Sequence, residues 1–177
     1  LALMALGLAV AVALPVGMLA ASRRGRPADA LAMGAAQVGI ALPNFWIAMI
    51  FVATFALNRM WFPATGFVSP LDNIWQAIWY STLPALALAS SGIAEVSRQL
   101  RSSLTEILSS QYARTLHAKG LSPAVILWKH GLRNVSVNLL TVISLLINRT
   151  LAATVVVEVV FAIPGMGNSI VNAALQR

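Results

Sequence analysis

The sequence predicts an all-α protein that crosses a membrane several times. Its low charge content, its long uncharged stretches and the placement of its bases all point there. Of 177 residues, 59% are hydrophobic and only 10% are charged. A soluble domain is about half apolar and about a quarter charged, since it must present an ionic surface to water. The composition also excludes a coiled coil and a disordered tail. There is no cysteine, so a disulfide framework and thiolate chemistry are excluded. The net charge of +7 can serve nucleic acid, anionic lipid or membrane topology. No aromatic residues interleave with the bases as a stacking surface needs, which makes nucleic-acid binding the weaker reading.

The elements follow in order. A bilayer is crossed by about 20 apolar residues. Residues 1–21 carry no charge and form the first span; Pro15 and Gly17 inside it are common in membrane helices. Residues 22–29 are a short loop made basic by Arg23, Arg24 and Arg26. The second uncharged stretch is 30–57, where Pro43-Asn44 predicts a kink or a tilt. Residues 58–73 are a longer loop, and Trp61, Phe62 and Phe67 in it, with Trp75 just beyond, suit a membrane interface. The third span is 74–94, with Pro84 inside it. Residues 95–134 are polar, with six bases and two acids. The fourth span, 135–157, contains Arg149, and 158–177 is of mixed character. The excess of bases in cytoplasmic loops places 22–29 and 95–134 inside and 58–73 and 158–177 outside. The chain starts within a span, at a Leu with no signal peptide before it. It is therefore expected to be the middle of a longer protein, lacking at least one helix at each end.

The inward segment 95–134 is too long for a passive turn. Val96, Leu100, Leu104, Ile107 and Leu108 recur at helical spacing among charged and polar residues, so the third span is expected to continue as an amphipathic helix. Residues 111–119 are a second, short helix, stopped by Gly120. Ser122-Pro123 reads as an N-cap with proline at the first helical position, opening a helix that runs into the fourth span. Such a helix–glycine–turn–helix element can dock into a groove on a partner. It can equally lie on anionic lipid, and charge alone does not separate the two.

Several groups of residues resemble a known family. Tyr112-Ala113-Arg114-Thr115-Leu116-His117-Ala118-Lys119-Gly120-Leu121-Ser122 is similar to the cytoplasmic EAA loop of ABC-importer permeases, in the version found in dipeptide, oligopeptide and nickel permeases. Lys129-His130-Gly131-Leu132-Arg133-Asn134 continues that version. The segment from Val155-Val156-Val157-Glu158 through Phe161 to Pro164-Gly165-Met166-Gly167 resembles the part that follows the fifth span of that subfamily. Leu42-Pro43-Asn44-Phe45-Trp46 and Phe62-Pro63-Ala64-Thr65-Gly66-Phe67 fit the same pattern, in the same order along the chain. The resemblance implies spans two to five of a six-span subunit, multi-pass in a bacterial or archaeal cytoplasmic membrane. It implies a second, homologous permease, two cytoplasmic ATPases that carry ATP and Mg²⁺, and an external binding protein that delivers peptides, nickel chelates or similar solutes. This chain would hold no cofactor of its own. Residues 112–122 would couple ATPase closure to the spans, a rigid-body switch between two packed states. The sequence departs from the pattern at Asn138, where Pro is frequent, which predicts a straighter approach to the last span. It departs again at Asn148-Arg149, where small residues are usual.

Individual residues carry alternative readings. Arg149 lies deep in a span, and a charge there costs at least about 2.5 kcal/mol on insertion scales. With Asn148 it is a candidate for the translocation pathway, attracting a peptide carboxylate or backbone. Otherwise it makes a salt bridge or carbonyl contacts with the partner permease, because Asp29, Glu95 and Glu158 are placed near span ends. Glu158 either organises the turn formed by Phe161, Pro164, Gly165 and Gly167 by accepting backbone hydrogen bonds, or belongs to an external gate. His117 and His130 have no Cys or carboxylate pair beside them, so no metal site is expected. No Walker A, HExxH or GxSxG pattern is present. Ser90-Ser91 has no spanning His to serve as base, which argues against an intramembrane protease. The stronger rival is an ion-coupled secondary transporter, which needs intramembrane acids.

Overall fold

The computed structural model describes residues 1–165 together with Gly167, Ser169 and Ala173. The remainder of 158–177 lies outside the described residues. Helix α1 (Ala2–Ser22) is followed by α2 (Pro27–Ala41) and α3 (Asn44–Phe51), the last widening into a π-helical stretch over Val52–Asn58. After the 58–73 connection come α4 (Ile74–Ser109), α5 (Gln111–Ala118) and the single turn α6 (Pro123–Val125). A second π-helical stretch, Ile126–Gly131, leads into α7 (Leu132–Val160), and no strand occurs among the described residues. Local chemistry sets the starts. Asn73 caps α4 by accepting the N–H groups of Trp75 and Gln76, each at 3.1 Å. Ser122 caps α6 through the Val125 N–H at 3.4 Å, with Pro123 first in the turn.

Three core clusters stack along the helices. At one end Ala5, Leu83, Leu88, Val157 and Phe161 pack with Ile47 and Ala48. Ala9, Ala13, Ala89, Val96 and Leu146 form the middle. Met18, Ala21, Leu100, Leu104, Leu127 and Val135 form the other end. Helices α1 and α4 therefore run the same way and α7 runs back. The connection 58–73 and the turn after α7 share the first end, where the Gly66 N–H donates to the Phe161 carbonyl at 3.1 Å. The Arg23–Arg26 loop and α5 share the other. By length and composition, Ala2–Ser22, Ile74–Ser109 and Pro123–Val160 can each cross a membrane.

The second expected span is not one kinked helix. Helices α2 and α3 meet at 102°. Pro43 has no N–H to donate and drives Leu42 into an extended conformation (φ −86, ψ 128), so the helix stops and restarts. The pair still carries the chain from one end to the other: Asp29 contacts Arg101 near one end cluster, and Ile47 and Ala48 belong to the opposite one. The helix of the third span continues past 94, as its apolar spacing predicts, and α4 runs unbroken to Ser109.

Helix α4 touches every other long helix, and small residues allow it. Ala5, Ala9, Ala13 and Gly17 fall on one face of α1, all buried. A Cβ on Gly17 would lie 2.9 Å from the Ser97 carbonyl oxygen, and one on Gly92 would lie 3.1 Å from the Ala9 Cβ. Close backbone approach of this kind is how membrane helices gain packing energy without a hydrophobic drive.

A buried ion pair ties the Arg23–Arg26 loop to α4. Arg101 donates to Asp29 through Nε at 3.0 Å and Nη2 at 2.6 Å, and the Gly25 N–H adds a third hydrogen bond at 3.0 Å. Asp29 is only 4% exposed. The Arg101 hydrogen bond, then that of Gly25, hold its carboxyl below the usual carboxylate range, against the opposing effect of burial. A depressed folded-state pKa gives stability that is present above the unfolded value and lost as pH falls through the folded one. The stability gap between wild type and Asp29→Asn, measured by thermal unfolding in detergent, should stay flat from neutral pH down to about 5 and shrink only below about pH 4. The packing makes a second prediction. Gly17→Ala should destabilise the fold by about 1–3 kcal/mol through overpacking. Gly7→Ala, where a Cβ meets nothing within 4 Å, should be neutral or slightly stabilising.

Candidate functional site

Helix α5 has two faces. Ala113 and Leu116 are buried, while Tyr112, Arg114, Thr115, His117, Ala118 and Lys119 are exposed. It is held to the start of the last long helix by Tyr112, whose hydroxyl lies 3.3 Å from His130 Nδ1. The helix closes in a Schellman motif: Gly120 N–H donates to the His117 carbonyl at 2.9 Å, and Leu121 N–H to the Leu116 carbonyl at 3.3 Å. Gly120 has φ +79, in the left-handed region that L side chains avoid. A Cβ there meets nothing within 4 Å, so backbone conformation alone demands glycine. Leu121 is half-buried, and Ser122 is exposed and caps the next turn. The result is a short polar helix face, rigidly closed at its end, standing at the same end as the bases of the first loop.

Arg149 has a partner within the chain, which corrects the expectation that no acid of its own could reach it. Its Nη1 donates to both Glu95 carboxylate oxygens, at 2.8 and 2.9 Å. The correction has a physical cause. The sequence places Glu95 at a span end, away from Arg149, but α4 is packed against α7 there, with Gly92 one turn before it beside Leu146. Side chains of a helix lean toward its N-terminus, so Arg149 on α7 reaches back toward Glu95. Both line a cavity of about 380 Å³ with Arg98, Ser91, Asn44 and Thr150. Asn148, the neighbouring candidate, is exposed and does not line it. Glu95 and Arg98 were not singled out as site residues from the sequence, where they read as polar positions of an amphipathic helix leaving the membrane. The helical spacing that continues past 94 was the available signal.

Glu158 is buried at the end of α7. Its carboxylate accepts the Gly167 N–H at 2.8 Å. A Cβ on Gly165 would overlap that carboxylate, and one on Gly167 would overlap the Val155 backbone. Both glycines are therefore set by space, unlike Gly120. The helix ends in a second Schellman motif, with Ile163 N–H donating to the Glu158 carbonyl at 2.9 Å. Ala162 takes the left-handed position at φ 52. Phe161 is buried in the end cluster and Pro164 is exposed.

The comparisons agree with one another. A family described as the binding-protein-dependent transport system inner membrane component matches residues 13–177. The dipeptide transport system permease protein DppB of Bacillus subtilis is 40% identical over the whole chain, which covers 55% of that protein. The oligopeptide transport system permease protein AppB of the same organism is 37% identical over 96% of the chain and 54% of its own length. A putative peptide transport system permease protein of Brucella abortus is 35% identical over the whole chain and 56% of its length. The chain thus spans just over half the length of these relatives. With its helical, membrane-length architecture, it belongs to the family of binding-protein-dependent transport system inner membrane components.

Proposed function

We propose that the chain is the membrane-spanning part of a permease subunit in an ATP-driven ABC importer of short peptides or similar solutes. It would lie, multi-pass, in a bacterial or archaeal cytoplasmic membrane. A second permease would complete the pathway. Two cytoplasmic ATPases would bind ATP and Mg²⁺, and an external binding protein would deliver the solute. The chain itself would perform no catalysis. Family membership and the printed names of the relatives support this reading. The single structural observation that carries the coupling role is α5. Its polar face, closed by Gly120, stands between α4 and the turn leading to α7, beyond the end of the packed bundle. A face of this kind can seat in a cleft, and in the proposed role it would pass a rigid-body movement to the helices on either side of it. Arg149 and Glu95 would line the pathway, and the Glu158 turn would close its outer end.

The rival reading, an ion-coupled transporter, finds a specific observation in Glu95, an acid beside the cavity. That acid shares the cavity with Arg98 and Arg149, so the lining is net positive, which suits an anion better than the cation an ion-coupled carrier would bind. Uptake by the complete complex in vesicles should therefore require ATP and persist when ion gradients are collapsed; uptake driven by a gradient without ATP contradicts the proposal. Gly120 gives a sharper test. Gly120→Asn tolerates the left-handed conformation and should keep most uptake. Gly120→Val should reduce uptake by about tenfold or more while ATPase activity persists, since about 1–2 kcal/mol of strain falls on the closing turn. Equal uptake in both variants removes the coupling role from this turn.

A further inference from the structure

We propose that the cavity between α2, α4 and α7 is a subsite for the free carboxylate of a zwitterionic solute, with Glu95 holding its place until the solute arrives. The proposal rests on the importer reading and names the solute chemistry of the same site. Two guanidinium-bearing residues, Arg98 and Arg149, line a space of about 380 Å³ together with one carboxylate, Glu95. That volume lies in the range of small-ligand sites, about 300–1,000 Å³. The charge balance of the three groups is one positive, so the cavity attracts an anion. The pairing is also incomplete. Arg149 meets both oxygens of Glu95 with the single nitrogen Nη1. Its Nε and Nη2 donors have no partner among the described residues, and Arg98 pairs with no carboxylate among them.

The Arg149 side chain is 67% exposed and that of Glu95 27%. An ion pair held through one guanidinium nitrogen and open to the cavity can be exchanged. An incoming carboxylate can take the unused fork of Arg149 in the bidentate geometry that guanidinium favours, with Arg98 as a second donor. Glu95, once released, faces the solute's own ammonium group. Asn44 on α3 and Ser91 on α4 supply neutral hydrogen-bonding groups in the lining. The buried pair Asp29–Arg101 offers a contrast: there the fork is fully used and the carboxylate is sealed, as a structural pair requires.

The test uses the complete transport complex in proteoliposomes, with alanyl-alanine and its C-terminal amide as probes and the ratio of their initial uptake rates as the readout. Comparing the ratio between wild type and a variant, both supplied with the same binding protein, cancels the contribution of that protein. Arg149→Gln should lower the acid-to-amide ratio by about tenfold, the loss of one charge-assisted hydrogen bond, and Arg149→Lys should recover part of it. Glu95→Gln removes the competing acceptor with little change in volume and should raise the ratio; it is decisive even if Arg149→Gln fails to assemble. A uniform fall in both rates with an unchanged ratio overturns the subsite while leaving the importer reading intact. Failure of the wild-type complex to take up either peptide with ATP overturns both.

Discussion

A side chain at Gly17 would meet the carbonyl oxygen of Ser97 at 2.9 Å, and one at Gly92 would meet Ala9 and Leu146 at 3.0–3.1 Å. These near-contacts between backbones are the constraint on which the remaining geometry depends. They seat α1 against α4 over most of its length and bring α7 onto the same stretch of α4. Lipid is as apolar as any side chain, so burial by itself does not hold membrane helices together; closeness does. Once α4 is fixed in this way, the positions of α2, α3 and α7 follow from it, and so does the alignment of Glu95 with Arg149.

The continuity of α4 gives the chain its mechanical character. One helix carries the cavity residues Ser91, Glu95 and Arg98, then the Asp29 anchor at Arg101, and ends at Ser109, beside α5. In the proposed coupling role, a displacement at α5 would reach the cavity along this helix. The sealed Asp29–Arg101 pair keeps the first loop attached to that helix, whereas the Glu95–Arg149 pair joins it to α7 by a contact that faces the cavity. Two ion pairs of the same chemistry thus differ in burial, and the proposed subsite rests on that difference.

Features with a local cause were legible in the sequence. Asn73 was not foreseen as a cap, but Ser122-Pro123 and Gly120 were read correctly as a start and a stop, because capping depends on a few adjacent residues. The continuation of the third span past 94 followed from apolar spacing. Pro43 announced an interruption, yet the 102° angle depends on what α2 and α3 pack against. The two π-helical stretches left no mark in composition. The ion pairs were out of reach for a different reason: Asp29 and Arg101 are 72 positions apart, and Glu95 and Arg149 are 54 apart. Only the crossing of packed helices and the lean of their side chains bring them together. Gly165 was read as a turn residue, whereas the deciding fact is the Glu158 carboxylate that occupies the space beside it.

The central claim is that α5 is the surface through which an ATPase moves this chain. The absence of cysteine makes a direct measurement simple, since any introduced thiol is unique in the chain. With Lys119→Cys in the complete complex, a short thiol-to-amine cross-linker should join the chain to a cytoplasmic ATPase subunit, in a yield that changes when ATP is added. A cysteine at Gly66, at the opposite end of the bundle, should give no such product. Cross-linking of an ATPase from position 66, or from neither position, would contradict the account.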